Sequence, residues 1–169
     1  MIDRREGKAL FFITMITQAQ IEKLVTEKIE NTDQFIVSIE VKSGNNIQVE
    51  VDSMSGVGVK EFMAISRHIE GNFDREIEDF SLRVSSPGVG EAYKVLEQYT
   101  KNVGRKVKVK TNEGKELVGE LLRFGSEEIC IKTKERKRVE GKKSKQVVEE
   151  EITIQVKDIK ETNTEISFK

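Results

Sequence analysis

The chain has 169 residues, of which 36% are apolar and 35% charged, with 29 Lys and Arg against 30 Asp and Glu. That is enough for one domain or two small ones around a modest core. The longest apolar run, Ala9–Ile16 broken by Thr14, falls far short of the ~20 residues a membrane-spanning helix needs. One cysteine, Cys130, and one histidine, His68, exclude an intramolecular disulfide and a conventional zinc site and fit a reducing cytoplasm.

The near-zero net charge hides a split. Residues 1–94 carry 11 Lys and Arg against 16 Asp and Glu, net −5; residues 95–169 carry 18 against 14, net +4. An acidic half joined to a basic half points to different partners or faces for each. A sequence pI near 6.1 argues against a simple nucleic-acid coat.

Residues 1–14 are expected to be a disordered or dispensable extension. Arg4, Arg5 and Lys8 before Ala-Leu-Phe-Phe-Ile give a faint likeness to a secretion signal. Asp3 and Glu6 interrupt the basic region, and no small-x-small cleavage site follows. Regular patterning begins just after Met15, a second candidate start. Thr17-Gln18-Ala19-Gln20 then has the form of a capping box. Ile21, Leu24, Val25 and Ile29 recur at helical spacing, predicting a helix that ends near Asn31. Phe35–Ser43 and Ile47–Val51 alternate about the turn Gly44-Asn45-Asn46, which reads as a β-hairpin.

A second helix follows Gly56 and Gly58, with Val59, Phe62, Met63, Ser66, Ile69 and Phe73 expected inward and His68 exposed with Glu61 opposite them. Gly56-x-Gly58 invites a dinucleotide-binding reading. Glu61 replaces the third glycine, and the preceding strand alternates instead of being apolar throughout. Phe80–Val84 is a third strand, completing an α-β-β-α-β two-layer domain over 15–90.

The only proline lies in Ser85-Ser86-Pro87-Gly88, a domain-junction motif. Pro second and Gly third in Ser86–Val89 predict a type II turn there. The serines lie outside any G-x-S-x-G elbow. Beyond it, Glu91–Val103 reads as helical or irregular. Five short strands follow: Val107–Val109, Glu116–Phe124 with a bend or bulge at Gly119, Ile129–Ile131, Ile152–Val156 and Ile159–Phe168. Tight turns join them, and the pattern predicts a small SH3-like or Sm-like β-barrel over 91–169. The fold class is therefore α+β.

Between the third and fourth of these strands, residues 132–145 hold eight Lys and Arg against Glu135 and Glu140. This reads as a long exposed loop or extended hairpin that attracts RNA phosphate, unless Glu149–Glu151 neutralise it. Candidate RNA-binding residues are Lys106, Lys108 and Lys110, alternating with Val107 and Val109, and Arg136, Lys137, Arg138, Lys142, Lys143 and Lys145 on the loop. No catalytic residue, cofactor or metal ligand set is expected.

Three stretches resemble the bacterial ribosome maturation factor RimP family. They are Val49-Glu50-Val51-Asp52 through Gly56-Val57 into Ile65-Ser66-Arg67; Leu82-Arg83-Val84-Ser85-Ser86-Pro87-Gly88-Val89; and Val103-Gly104-Arg105-Lys106-Val107-Lys108-Val109 with Gly119-Glu120-Leu121-Leu122. The resemblance runs from about Thr17 to the C-terminus. It implies a cytoplasmic, monomeric, non-catalytic assembly factor. Such a factor binds the immature small (30S) ribosomal subunit, its rRNA and a decoding-centre ribosomal protein, with no membrane partner. The alternative is an Sm-like RNA-binding regulator acting off the ribosome. Family members often follow the Pro-Gly turn with Asp-Arg-Pro, where this chain has Gly90-Glu91-Ala92-Tyr93. The loop 132–145 is also longer and more basic than usual.

Overall fold

The computed structural model describes residues 15–138, 140–141 and 144–166, so the expectation for residues 1–14 lies outside the described residues. Two compact units divide the chain. One runs to Val51 and resumes over Val57–Ser85; the other comprises Asp52–Gly56 and the chain from Ser86 onward.

The first unit opens with helix α1 (Gln18–Ile29). Thr17 is its N-cap, and the box is complete: Gln20 N–H donates to Thr17 Oγ1 at 3.3 Å, and Thr17 N–H donates to Gln20 Oε1 at 2.9 Å. Two helix-end donors are thereby satisfied reciprocally. Thr17→Ala is expected to cost about 1 kcal/mol. Thermal unfolding should read this as a clear drop in melting temperature, and an unchanged midpoint would show the box to be dispensable.

Strands β1 (Gln34–Lys42) and β2 (Asn46–Ser53) form the hairpin, turning at Gly44 and Asn45, both at positive φ. Helix α2 (Val59–Glu70) then carries the chain across to β3 (Ser81–Ser85), which pairs parallel with β2, giving the order β1-β2-β3. Alternation puts Ile39, Ile47, Val49 and Val51 on the face that packs with Ile21 and Val25 of α1 and Ile65 and Ile69 of α2. Arg75 closes the layer. Its guanidinium lies 4.3 Å from the Phe80 ring centre, donates to the Phe80 carbonyl at 3.2 Å and pairs with Glu70 at 3.0 Å.

Helix α2 is rolled from the orientation its apolar stripe suggests. Ile65, absent from the predicted inward face, is 1% exposed, whereas Val59 and Met63 are 71% and 46% exposed. The apolar stripe of α2 is wider than the surface available to it. The helix packs on α1 as well as on the sheet, and burying Ile65 with Ile69 turns Val59 and Met63 outward. The same roll makes His68 half-buried instead of exposed, its Nε2 3.7 Å from Glu27 of α1. Gly58 caps α2, and its N–H donates to the Glu61 carboxylate at 3.0 Å. That carboxylate takes a donor a bound phosphate would need, which argues against the dinucleotide reading.

In the second unit the expected turn is displaced. Gly88 is not at positive φ; Gly90 is, at 85°, and Glu91 N–H donates to the Gly88 carbonyl at 3.1 Å. The turn therefore spans Gly88–Glu91 with Gly90 third, where only glycine takes the backbone without strain. Pro87 instead favours extended backbone at Ser86. The turn lays Ala92 and Tyr93 along the edge of the last strand. Ala92 bridges Asn163, Tyr93 N–H donates to the Thr162 carbonyl at 2.7 Å, and Asn163 Nδ2 donates to the Gly90 carbonyl at 3.1 Å.

Helix α3 (Leu96–Asn102) follows, its first turn held by Gln98, whose Oε1 accepts from Lys94 and Val95 N–H groups. Strands β4 (Lys106–Thr111), β5 (Glu116–Phe124), β6 (Glu128–Lys137), β7 (Gln146–Gln155) and β8 (Ile159–Thr164) form an antiparallel sheet in the order β7-β6-β5-β4-β8. Its core is Val107, Val109, Leu121, Ile129, Ile131 and Ile154, edged by Tyr93, Tyr99 and Phe124. Tyr93 and Tyr99 meet edge to face at 5.0 Å, and Tyr99 stacks on Phe124 at 5.8 Å. Tyr93 also hydrogen-bonds Thr164 at 2.8 Å. The architecture is α+β, as its pattern predicts.

Three strand details differ from expectation. The β5 bulge falls between Leu121 and Arg123, opposite Cys130, and not at Gly119. Val156 belongs to a 3-10 turn over Val156–Asp158. The last strand ends at Thr164, and Phe168 lies outside the described residues.

Candidate nucleic-acid interface

The first part of the basic segment, Lys132–Lys137, is strand, as the extended-hairpin alternative expects, and its cations are interleaved with carboxylates. The β5–β6 pairing runs from Phe124↔Ile129 to Glu120↔Lys132, while β6 pairs with β7 all the way to Lys137↔Gln146. From Thr133 onward, β6 and β7 have only each other, so a two-stranded ribbon continues past the sheet. Such a ribbon has little core of its own. Its cross-strand side-chain pairs must hold it, and here they are ionic.

Alternation sorts the ribbon into two faces. On one, Lys134 stands opposite Glu149 and Lys132 opposite Glu151. The Glu149 carboxylate bridges both lysines, at 2.7 Å from Lys134 Nζ and 2.7 Å from Lys132 Nζ. On the other face, Lys137 Nζ lies 3.3 Å from Glu135 and 3.3 Å from Glu150. These hydrogen bonds raise Lys132 and Lys137 above the ordinary lysine range, through Glu149 for the first and Glu135 then Glu150 for the second. Those from Lys132 and Lys134 pull Glu149 down to about 2.

The pH dependence follows. A carboxylate depressed from 4.5 to about 2 stabilises the ribbon fully above its unfolded value and loses that contribution as pH falls through its folded one. The lysine contribution is full below the ordinary value of 10.5 and declines in strong alkali. Protection of the Lys132–Lys137 amides, taken relative to the intrinsic exchange rate at each pH, should therefore fall between pH 4.5 and about 2 while the core strands β4 and β5 keep theirs. Uniform protection over that range would show that the pairs do not hold the ribbon.

The sequence-predicted residues divide accordingly. Lys137 is paired. Arg136, Arg138 and Lys145 are exposed and have no ion-pair partner among the described residues. Lys142 and Lys143 lie outside the described residues. Lys106, Lys108 and Lys110 alternate with buried Val107 and Val109 on β4, so they share the sheet's outer face. Their neighbours across β5 are Glu120, Val118 and Glu116. Lys110 also lies 3.9 Å from Glu161 of β8. That face is a checkerboard of charge and not a basic patch. The structure thus places Arg136, Arg138 and Lys145 toward the outer part of the described ribbon and leaves the β4 lysines interleaved with carboxylates. Ser85 ends β3, and Ser86, Pro87 and Gly88 lead into the displaced turn.

Residue-type reasoning named Glu149–Glu151 together as possible neutralisers and missed that Glu149 alone engages both Lys132 and Lys134. Its signal was present: two lysines two apart in one strand of a hairpin, facing three successive glutamates in the other. Reading it requires the register, which β5–β6–β7 pairing sets.

Residues 24–90 match a family model described as the RimP N-terminal domain. A relative from Christiangramia forsetii, named ribosome maturation factor RimP, is 39% identical over 151 residues, covering 88% of this chain and 97% of the relative. One of the same name from Porphyromonas gingivalis strain W83 is 35% identical over 147 residues, covering 87% and 97%. Another from Flavobacterium psychrophilum is 30% identical over 135 residues, covering 79% and 87%. At this identity, extending over nearly the whole of the relatives, the chain belongs to the RimP family of ribosome maturation factors.

Proposed function

We propose that the protein takes part in ribosome maturation by binding the immature small subunit in the cytoplasm as a monomer, without catalysing a reaction. Its rRNA contact is made by Arg136, Arg138 and Lys145 of the β6–β7 ribbon, and by Lys142 and Lys143 on the strength of the sequence alone; Lys106, Lys108 and Lys110 add secondary contacts. The observation that carries this reading is a ribbon continuing past the sheet on which Lys132, Lys134 and Lys137 are paired while Arg136, Arg138 and Lys145 have no ion-pair partner among the described residues. Unpaired exposed cations release counterions when they meet phosphate, which makes the contact strong and salt-dependent. We read residues 15–90 as the N-terminal domain, residues 91–169 as an SH3-like barrel carrying the ribbon, and Ser85–Gly88 as the junction between them. Transient binding would favour an rRNA conformation that accepts a decoding-centre ribosomal protein.

Sucrose-gradient fractionation at low salt tests this. The protein should co-migrate with free small subunits and be absent from assembled ribosomes. Failure to co-migrate would overturn the proposal, and recovery only in RNA-bound fractions lighter than the subunit would favour the Sm-like regulator.

A further inference from the structure

We propose that Glu149 is a built-in competitor for phosphate, confining the ribbon's nucleic-acid contact to its end and limiting how tightly it holds RNA. The inference rests on the reading that the ribbon contacts rRNA, and it names the residue that tunes that contact.

The geometry is that of a bound anion. One Glu149 oxygen is 2.7 Å from Lys134 Nζ and the other 2.7 Å from Lys132 Nζ. A phosphodiester offers the same pair of anionic oxygens at similar spacing, and charge-assisted bonds of this length are the strong ones. All three side chains lie on one face of the ribbon, which also carries Arg136, opposite Val147. A backbone phosphate approaching that face therefore meets a free guanidinium at Arg136, then two ammonium groups already occupied. The occupant is tethered on the neighbouring strand, so it is always at hand, whereas RNA must displace it. On the other face Lys137 is likewise occupied, held by two carboxylates, Glu135 and Glu150, at 3.3 Å each. Of the six described cations between residues 132 and 145, Lys132, Lys134 and Lys137 are engaged by carboxylates and Arg136, Arg138 and Lys145 are not. A maturation factor has to leave its particle. Each additional phosphate contact steepens the salt dependence by roughly 0.7–0.9, so two more cations on RNA would slow departure.

The test is equilibrium binding of a fluorescently labelled RNA hairpin to the full chain across a salt series. Glu149→Gln keeps the shape and removes the competing charge. It should tighten binding by on the order of 10-fold near 0.1 M salt and steepen the log–log slope by about 1.5. The variant K132Q/K134Q/E149Q removes the whole cluster and should bind nearly as the native chain does, because both native lysines are already engaged by Glu149. It also serves if Glu149→Gln loosens the ribbon. The variant R136Q/R138Q/K145Q should bind more weakly with a flatter slope. If the end variant weakens binding while Glu149→Gln changes neither affinity nor slope, the role of Glu149 is overturned and the ribbon contact stands. A cluster variant as weak as the end variant would overturn it too, since Lys132 and Lys134 would then be holding phosphate in the native protein. If no variant changes binding, the ribbon does not contact RNA and both readings fall.

Discussion

Gly119→Ala is expected to lower the melting temperature of the second unit by about 10–20 °C, a loss of about 3 kcal/mol at the upper end of ordinary overpacking. A Cβ at this position would sit 2.6 Å from the carbonyl oxygen of Lys132 and 2.9 Å from its carbon, with Thr133 Cγ2 at 3.3 Å. The first two are backbone atoms of the neighbouring strand, which cannot rotate aside as the end of a side chain would. Relief requires β5 and β6 to part. Between them lie Leu121, Ile129 and Ile131, each at most 1% exposed, so parting the strands admits water to the core. The backbone conformation itself is no obstacle, since Gly119 is not at positive φ; the constraint is room alone. Amide exchange in the variant should lose protection across β4–β8 while β1–β3 keep theirs, because the first unit has its own core. A melting temperature within about 2 °C of the native value would mean that the strands separate at no cost.

The position of Gly119 also bears on the ribbon. Lys132, whose carbonyl closes on Gly119, is the last β6 residue paired with β5, and its side chain is held by Glu149. The close approach of β5 thus fixes β6 at the point where the ribbon leaves the sheet. Register beyond that point is inherited: Lys134 faces Glu149 only because Glu120 faces Lys132 and Lys132 faces Glu151. A one-residue slip would move every stem lysine to the opposite face.

Local chemistry made much of the fold legible. The Thr17 capping box, the Gly44-Asn45 hairpin and the alternation of Ile47, Val49 and Val51 each depend on neighbours in sequence, and each appears where expected. What stayed hidden depends on partners far along the chain. The roll of α2 is decided by α1, which no count of apolar residues within α2 reveals. The turn lies at Gly90 and not Gly88 because Ala92 and Tyr93 must meet Asn163 and Thr162, some 70 residues later. The candidate site divides the same way. Its basic composition is plain in the sequence, but which cations remain available is set by cross-strand pairing. A run of Lys and Arg therefore overstated the surface that can meet phosphate.

Ile65→Ala should destabilise the first unit by about 2–5 kcal/mol, whereas Met63→Ala should change its stability by no more than about 0.5 kcal/mol. The contrast follows from the roll of α2. Ile65 is 1% exposed and packs in the cluster with Ile21, Val49 and Ile69. Truncating it leaves a void that rigid sheet and helix neighbours cannot fill, adding a cavity cost to the lost transfer energy. Met63 is 46% exposed, so its removal takes little surface out of contact. The stripe read from sequence alone reverses this order, placing Met63 inward and leaving Ile65 out. Denaturant unfolding of the two variants side by side decides between them, through the midpoint at unchanged slope. Equal losses would mean that α2 presents both residues to the core. A larger loss for Met63→Ala would restore the orientation the apolar stripe suggests and return Val59 to the interior with it.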